Sequence, residues 1–166
     1  MRPALCRSFY TDGASLRNGQ RNSSGGWAVV YKRNGEIIHD SDYLENGPQT
    51  NNRYELYAIL RAIYIGLELN TTYITIRTDS HYAINCITNW YYKWIDNGWT
   101  TSYGKPVQNR GIIEDIHDAI DLVESVGGEV EFIPVRAHSN HPLNNLADMY
   151  AEEAAERNPR CGYYYC

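Results

Sequence analysis

No stretch of this 166-residue chain is apolar for the roughly 20 residues that a membrane-spanning helix requires, and its first residues contain no apolar signal core. A membrane partner is therefore not expected. Cysteine is scarce: Cys6, Cys86, Cys161 and Cys166 are too few and too scattered for a disulfide scaffold, and none stands at zinc-ligand spacing from a histidine. Reduced thiols in the cytoplasm or nucleus are the expectation. Positive charge is also short, with 15 Lys and Arg against 20 Asp and Glu, a net −5. A broad non-specific attraction to polyanions is thus excluded, so any nucleic acid must be recognised against the net charge. No internal repeat is present. What remains is a chain with 43% apolar residues, enough to bury one core. Residues 1–166 are accordingly expected to form a single, monomeric domain, with 158–166 as a tail without fixed structure.

The segment Phe9 to Ser15 organises the rest. Cys6 to Thr11 is mostly apolar, aromatic or β-branched and reads as a strand, which places a carboxylate, Asp12, at its end. Locally, Asp12-Gly13 reads as a turn signal. Arg17 to Gly26 is a polar, Gly-rich loop. Trp27 to Lys32 and Glu36 to Leu44 flank the hairpin signal Asn34-Gly35, giving three sequential antiparallel strands.

Leu56, Ile59, Leu60, Ile63 and Leu67 recur at helical spacing. Tyr73 to Arg77 reads as a strand leading into a helix near His81 to Thr88, followed by an aromatic segment from Trp90 to Trp99. Ile112 to Val123 form a further amphipathic helix, stopped at Gly127-Gly128. Glu129 to Val135 is a last strand and Pro142 to Arg157 a last helix. A hairpin meander followed by parallel crossovers gives an α/β domain with one mixed sheet.

Four carboxylates stand out, each with an ordinary local explanation. Glu55 fits the N3 position of a capping box begun by Asn52, Asp79 fits an N-cap, and Asp148 fits a solvated helix face. Together they mean more, because strand ends and helix starts in such a layout share one rim. Carboxylates gathered there repel unless hard cations hold them, and magnesium or manganese prefers such oxygens.

Tyr-Thr-Asp-Gly-Ala-Ser around Asp12, Thr-Asn-Asn-Arg-Tyr-Glu-Leu around Glu55, Thr-Asp-Ser at Asp79 and the run from Val135 to Asp148 closely resemble type 1 ribonuclease H, in register from about Phe9 to Ala155. The resemblance implies a ribonuclease H-like fold, with a five-stranded mixed sheet flanked by helices. It implies hydrolysis of the RNA strand of an RNA:DNA hybrid with two Mg2+ ions, Mn2+ substituting, held by Asp12, Glu55, Asp79 and Asp148. Products would carry 5'-phosphate and 3'-hydroxyl ends. His138 matches the family's histidine, whereas His141, before Pro142, reads as part of a helix start.

Asn18, Asn51, Asn52, Ser80 and Asn144 match or adjoin minor-groove contacts, Thr50 and Asn109 match positions that bind a DNA phosphate, and Trp90, Trp94 and Trp99 lie in the protruding handle. Departures exist: the stretch from Lys93 to Thr100 holds one lysine and an acid where the handle is usually lysine-rich, and Pro48 replaces a phosphate-binding Arg of some relatives. Ala137 and Asn140 replace glycines around the histidine, which predicts a stiffer loop. The related 3'-5' exonucleases place a second acid two residues after the first, where this chain has Ala14.

Overall fold

The computed structural model describes residues 4–161. Three antiparallel strands open the chain: β1 (Cys6–Leu16), β2 (Ser24–Arg33) and β3 (Glu36–Asp42). The helix α1 (Asn51–Glu68) crosses to β4 (Tyr73–Thr78), parallel to β1. A helical run follows: α2 (His81–Asn85), a π-helical turn over Cys86–Trp90, and α3 (Tyr91–Asn97). Then come α4 (Arg110–Ser125), β5 (Glu129–Pro134), parallel to β4, and α5 (Pro142–Arg157). The sheet order β3-β2-β1-β4-β5 is the five-stranded mixed arrangement expected.

Two consecutive glycines show how the layers are stacked. A Cβ on Gly25 would strike the Tyr54 ring of α1, and one on Gly26 would lie 2.4 Å from the Ala155 nitrogen of α5. Successive strand residues point to opposite faces, so α1 and α5 cover opposite sides of β2. This explains why β2 is buried from Ser24 to Tyr31 without alternation. On the α1 side, Phe9, Leu56, Ile59, Ile63, Ile74, Ile76, Ile113 and Ile116 are almost wholly buried. Each such aliphatic or aromatic side chain contributes roughly 1.5–3 kcal/mol by leaving water. On the α5 side, Ala147, Ala151, Ala154 and Ala155 form a stripe small enough for the helix backbone to approach the sheet.

Several local readings are corrected. Asp12-Gly13 is not a turn: both residues continue β1, with Asp12 paired to Ala28 and Gly13 to Trp27, and long-range pairing overrides the turn propensity. The loop after β1 is shorter than its composition suggests, because Ser24 to Gly26 pair with Leu16 to Ala14. Thr50, not Asn52, caps α1, its hydroxyl accepting from Arg53 N at 3.3 Å. Glu55 therefore lies beyond N3 and forms no capping box. Ser80, not Asp79, caps α2 by accepting from Ala83 N at 3.1 Å. In both cases the acid is released from capping. The chain remains ordered past Arg157: Asn158 is buried and Pro159–Cys161 make one 3-10 turn, while 162–166 of the expected tail lie outside the described residues.

Candidate active site

Asp12, Glu55 and Asp79 arrive from β1, α1 and the end of β4, and each offers a carboxylate oxygen within 4.8 Å of the other two. Asp12 and Glu55 are buried and Asp79 half-buried. Close contact between α1 and β1 makes the meeting possible. A Cβ on Gly13 would stand 2.2 Å from the Glu55 nitrogen, so only glycine lets the helix down onto the strand beside Asp12.

Burial pushes the Asp12 carboxyl up to about 8; the charge of Asp79 adds to this, and Asp148 raises it further through a side-chain hydrogen bond and its charge. Burial and the Asp12 carboxyl likewise hold Glu55 well above the ordinary range, although the Gly13 backbone N–H donates to it. Glu55 Oε2 is buried without a hydrogen-bond partner. Such an orphaned oxygen, in a cluster otherwise forced to retain protons, fits a divalent cation. The predicted quartet is thus brought together as a compact trio, with Asp148 of α5 acting on Asp12 from the side.

His138 sits in a left-handed backbone conformation (φ 50°) in the loop before α5, its Nδ1 3.8 Å from Asp148 Oδ2 and its side chain 82% exposed. The imidazole is therefore beside the cluster yet open to solvent. His141 occupies the N-cap position of α5 and makes no side-chain cap bond.

The exposed amides Asn18, Asn51 and Asn52 gather with Thr50 at the start of α1, where Asn18 Oδ1 accepts from the Asn51 backbone N–H at 3.2 Å. Ser80 is half-buried, with its hydroxyl committed to the cap of α2. Asn144 departs from expectation. It is 2% exposed, because it lies three and seven residues before Ala147 and Ala151 and shares their sheet-facing stripe. Asn109 has φ 63° and donates its amide to the Tyr82 hydroxyl at 3.2 Å.

From Tyr82 the aromatic chain continues through Trp90, Trp94 and Trp99, with ring centroids 5.8–6.1 Å apart. Trp90 and Trp94 are half-buried and line an approximately 370 Å3 groove with Lys93, Asn97 and Thr100. Trp99, 7% exposed beneath the Arg110 guanidinium, supports the groove from within.

Gln49 carries no sequence signal and was missed. It is buried in front of α1; its Oε1 accepts from Gly25 N (3.0 Å), the Tyr54 hydroxyl (2.6 Å) and Asn158 Nδ2 (2.9 Å). Its Nε2 donates to the carbonyls of Leu44 and Gly47. Gln49 thereby fixes the loop that delivers Thr50 to Asn52. Its partners are long-range, so only the fold reveals them.

A family model described as RNase H matches residues 7–156. A Treponema pallidum ribonuclease H is 32% identical over 166 residues, with 90% of each chain covered. A Schizosaccharomyces pombe ribonuclease H is 38% identical over 146 residues, which span 88% of this chain but only 52% of that protein, about half its length. Among solved structures, a type 1 RNase H with the type 2 active-site motif superposes with a TM-score of 0.72 at 26% identity, over 95% of this chain and 75% of that one. With this match along nearly its whole length, and with the acidic trio assembled in the same fold, the chain belongs to the ribonuclease H family, among its type 1 members.

Proposed function

We propose that the chain is an endonuclease that hydrolyses the RNA strand of RNA:DNA hybrids. The observation that carries this reading is the meeting of three carboxylates from three separate elements within 4.8 Å, with Asp148 against Asp12, beside a row of exposed amides at the start of α1. Two magnesium ions, or manganese in their place, bound by Asp12, Glu55, Asp79 and Asp148, would supply an activated water and positive charge at the leaving oxygen.

The protein's own groups do the rest. Asn18, Asn51 and Asn52 offer amide donors and acceptors to the 2'-hydroxyls that an A-like minor groove exposes, selecting sugar rather than sequence. The start of α1 presents the positive end of its helix dipole to a phosphate near Thr50. Trp90 and Trp94 provide ring surface for the DNA strand. His138, exposed on the loop before α5, takes or delivers a proton at the leaving oxygen beside Asp148.

End-group analysis tests the chemistry. A hybrid with internally labelled RNA should yield fragments that lose a 5'-phosphate to phosphatase and are extended directly at their 3'-hydroxyl. Fragments with 2',3'-cyclic phosphate ends would show instead that the 2'-hydroxyl is the nucleophile, and would overturn the reading.

A further inference from the structure

Away from the carboxylate cluster, a groove of about 260 Å3 opens between the π-helical turn, α4 and β5. Ile87, Tyr92, Ile120, Val130 and Phe132 supply its apolar walls, and Asp121 and Glu124 stand at its mouth. His117 also lines the groove, stacked on Tyr91 and with Nε2 3.0 Å from the Ile87 carbonyl; burial lowers its pKa, so it brings no positive charge at neutral pH. The volume lies below the roughly 300–1,000 Å3 of a small-molecule pocket and suits a single large side chain.

Two further features meet there. β5 is the last strand of the sheet, so among the described residues no strand pairs with its outer edge. The surrounding sequence is also the most acidic in the molecule. Residues 110–133 hold seven carboxylates against the one guanidinium of Arg110, a net −6, while the whole chain carries −5. Arg110 is itself paired with Glu114, and among the described residues no cation lies within ion-pair distance of Asp121, Glu124 or Glu131.

We propose that this groove and the free edge of β5 form a docking site for an extended lysine- or arginine-rich protein segment, which adds beside β5 and places one apolar side chain in the groove. An unpaired edge supplies backbone donors and acceptors to an incoming strand, and an apolar pocket reads its alternate side chains. The carboxylates set the sign of the partner and its encounter rate. They also bar a second copy of this chain, whose own β5 edge would bring Glu129 and Glu131 against the same acids.

The test uses the full chain and a fluorescein-labelled octapeptide of alternating valine and lysine, with a valine–glutamate octapeptide as control. The basic peptide should give a saturable anisotropy change, with amide chemical-shift changes concentrated at Ile120, Val130, Glu131 and Phe132, and the acidic peptide neither. Combining Asp121→Asn, Glu124→Gln and Glu131→Gln should weaken binding about tenfold, as expected for three exposed charge contacts, with hybrid hydrolysis unchanged. Four results would overturn the proposal: no saturable binding, undiminished binding to the triple variant, shift changes confined to Asp12 and Asp79, or self-association through β5 in sedimentation.

Discussion

Gly13 and Glu55 touch so closely that a single methyl group cannot be placed between them: an added Cβ would lie 2.2 Å from the Glu55 nitrogen. Gly13→Ala must therefore push α1 away from β1, and overpacking of this kind costs about 1–3 kcal/mol. The urea midpoint should fall accordingly. Turnover should fall further than stability explains, since the same displacement withdraws Glu55 from Asp12. An active variant of unchanged stability would show that α1 need not sit so close.

Acid–base behaviour of the metal-free protein follows from Asp12. Its carboxyl is pushed up to about 8 by burial and by Asp79, so the folded state holds a proton that the unfolded chain has released near its ordinary carboxylate value. The folded protein then binds more protons than the unfolded, and stability declines as pH rises from about 4 to about 8. Below about 4 both states are protonated at this group and its contribution is flat. Magnesium should reverse the decline and release protons on binding. Asp12→Asn should stabilise the metal-free protein at pH 8 and abolish turnover while hybrid binding survives. Urea denaturation at several pH values, with and without magnesium, checks each part.

His138 and His141 differ in position rather than chemistry. The first reaches toward Asp148 from an exposed loop; the second stands at the N-cap of α5. His138→Ala should lower turnover roughly 100-fold, a usual general acid–base contribution, with hybrid affinity unchanged. His141→Ala should leave turnover near wild type. Single-turnover rates for the pair decide between them, and a larger loss for His141→Ala would reverse the assignment.

The handle predicts a weak salt dependence. Only Lys93 brings positive charge between Trp90 and Thr100, and Asp96 opposes it. Ile95 and Asp96 are exposed and Thr100 half-exposed, so lysines at all three positions are tolerable. Together they should steepen the slope of log affinity against log salt by about 2 to 3, if each reaches a phosphate, and tighten hybrid binding. An unchanged slope would place this segment off the substrate.

Much of this architecture was legible in the sequence because it rests on periodicity. The two long amphipathic helices, the Asn34-Gly35 hairpin and the β-branched strands all follow from local pattern, and the four acids are found by matching motifs to strand ends. Capping was misread at both Glu55 and Asp79 for one reason. Asn52 and Asp79 are good caps, but Thr50 and Ser80, also favoured N-cap residues, stand nearby, and tertiary packing decides which residue turns the chain. Asn144 is buried, as its spacing to Ala147 and Ala151 indicates, a feature that the motif match alone did not bring out. Gln49 could not have been found, because its hydrogen bonds reach Gly25 and Asn158, 24 and 109 residues away. Gln49→Ala should strand several of these buried groups, at roughly 1–3 kcal/mol for each.

The central claim is that the gathered acids serve cation-dependent cleavage of RNA paired with DNA. Its most direct measurement follows one uniformly labelled RNA strand, incubated with the protein as a hybrid, as an RNA duplex and beside a labelled DNA duplex, in magnesium and in excess EDTA. The account predicts cleavage of RNA in the hybrid alone, in magnesium alone. Equal cleavage in EDTA, or of the RNA duplex at the rate of the hybrid, would contradict it.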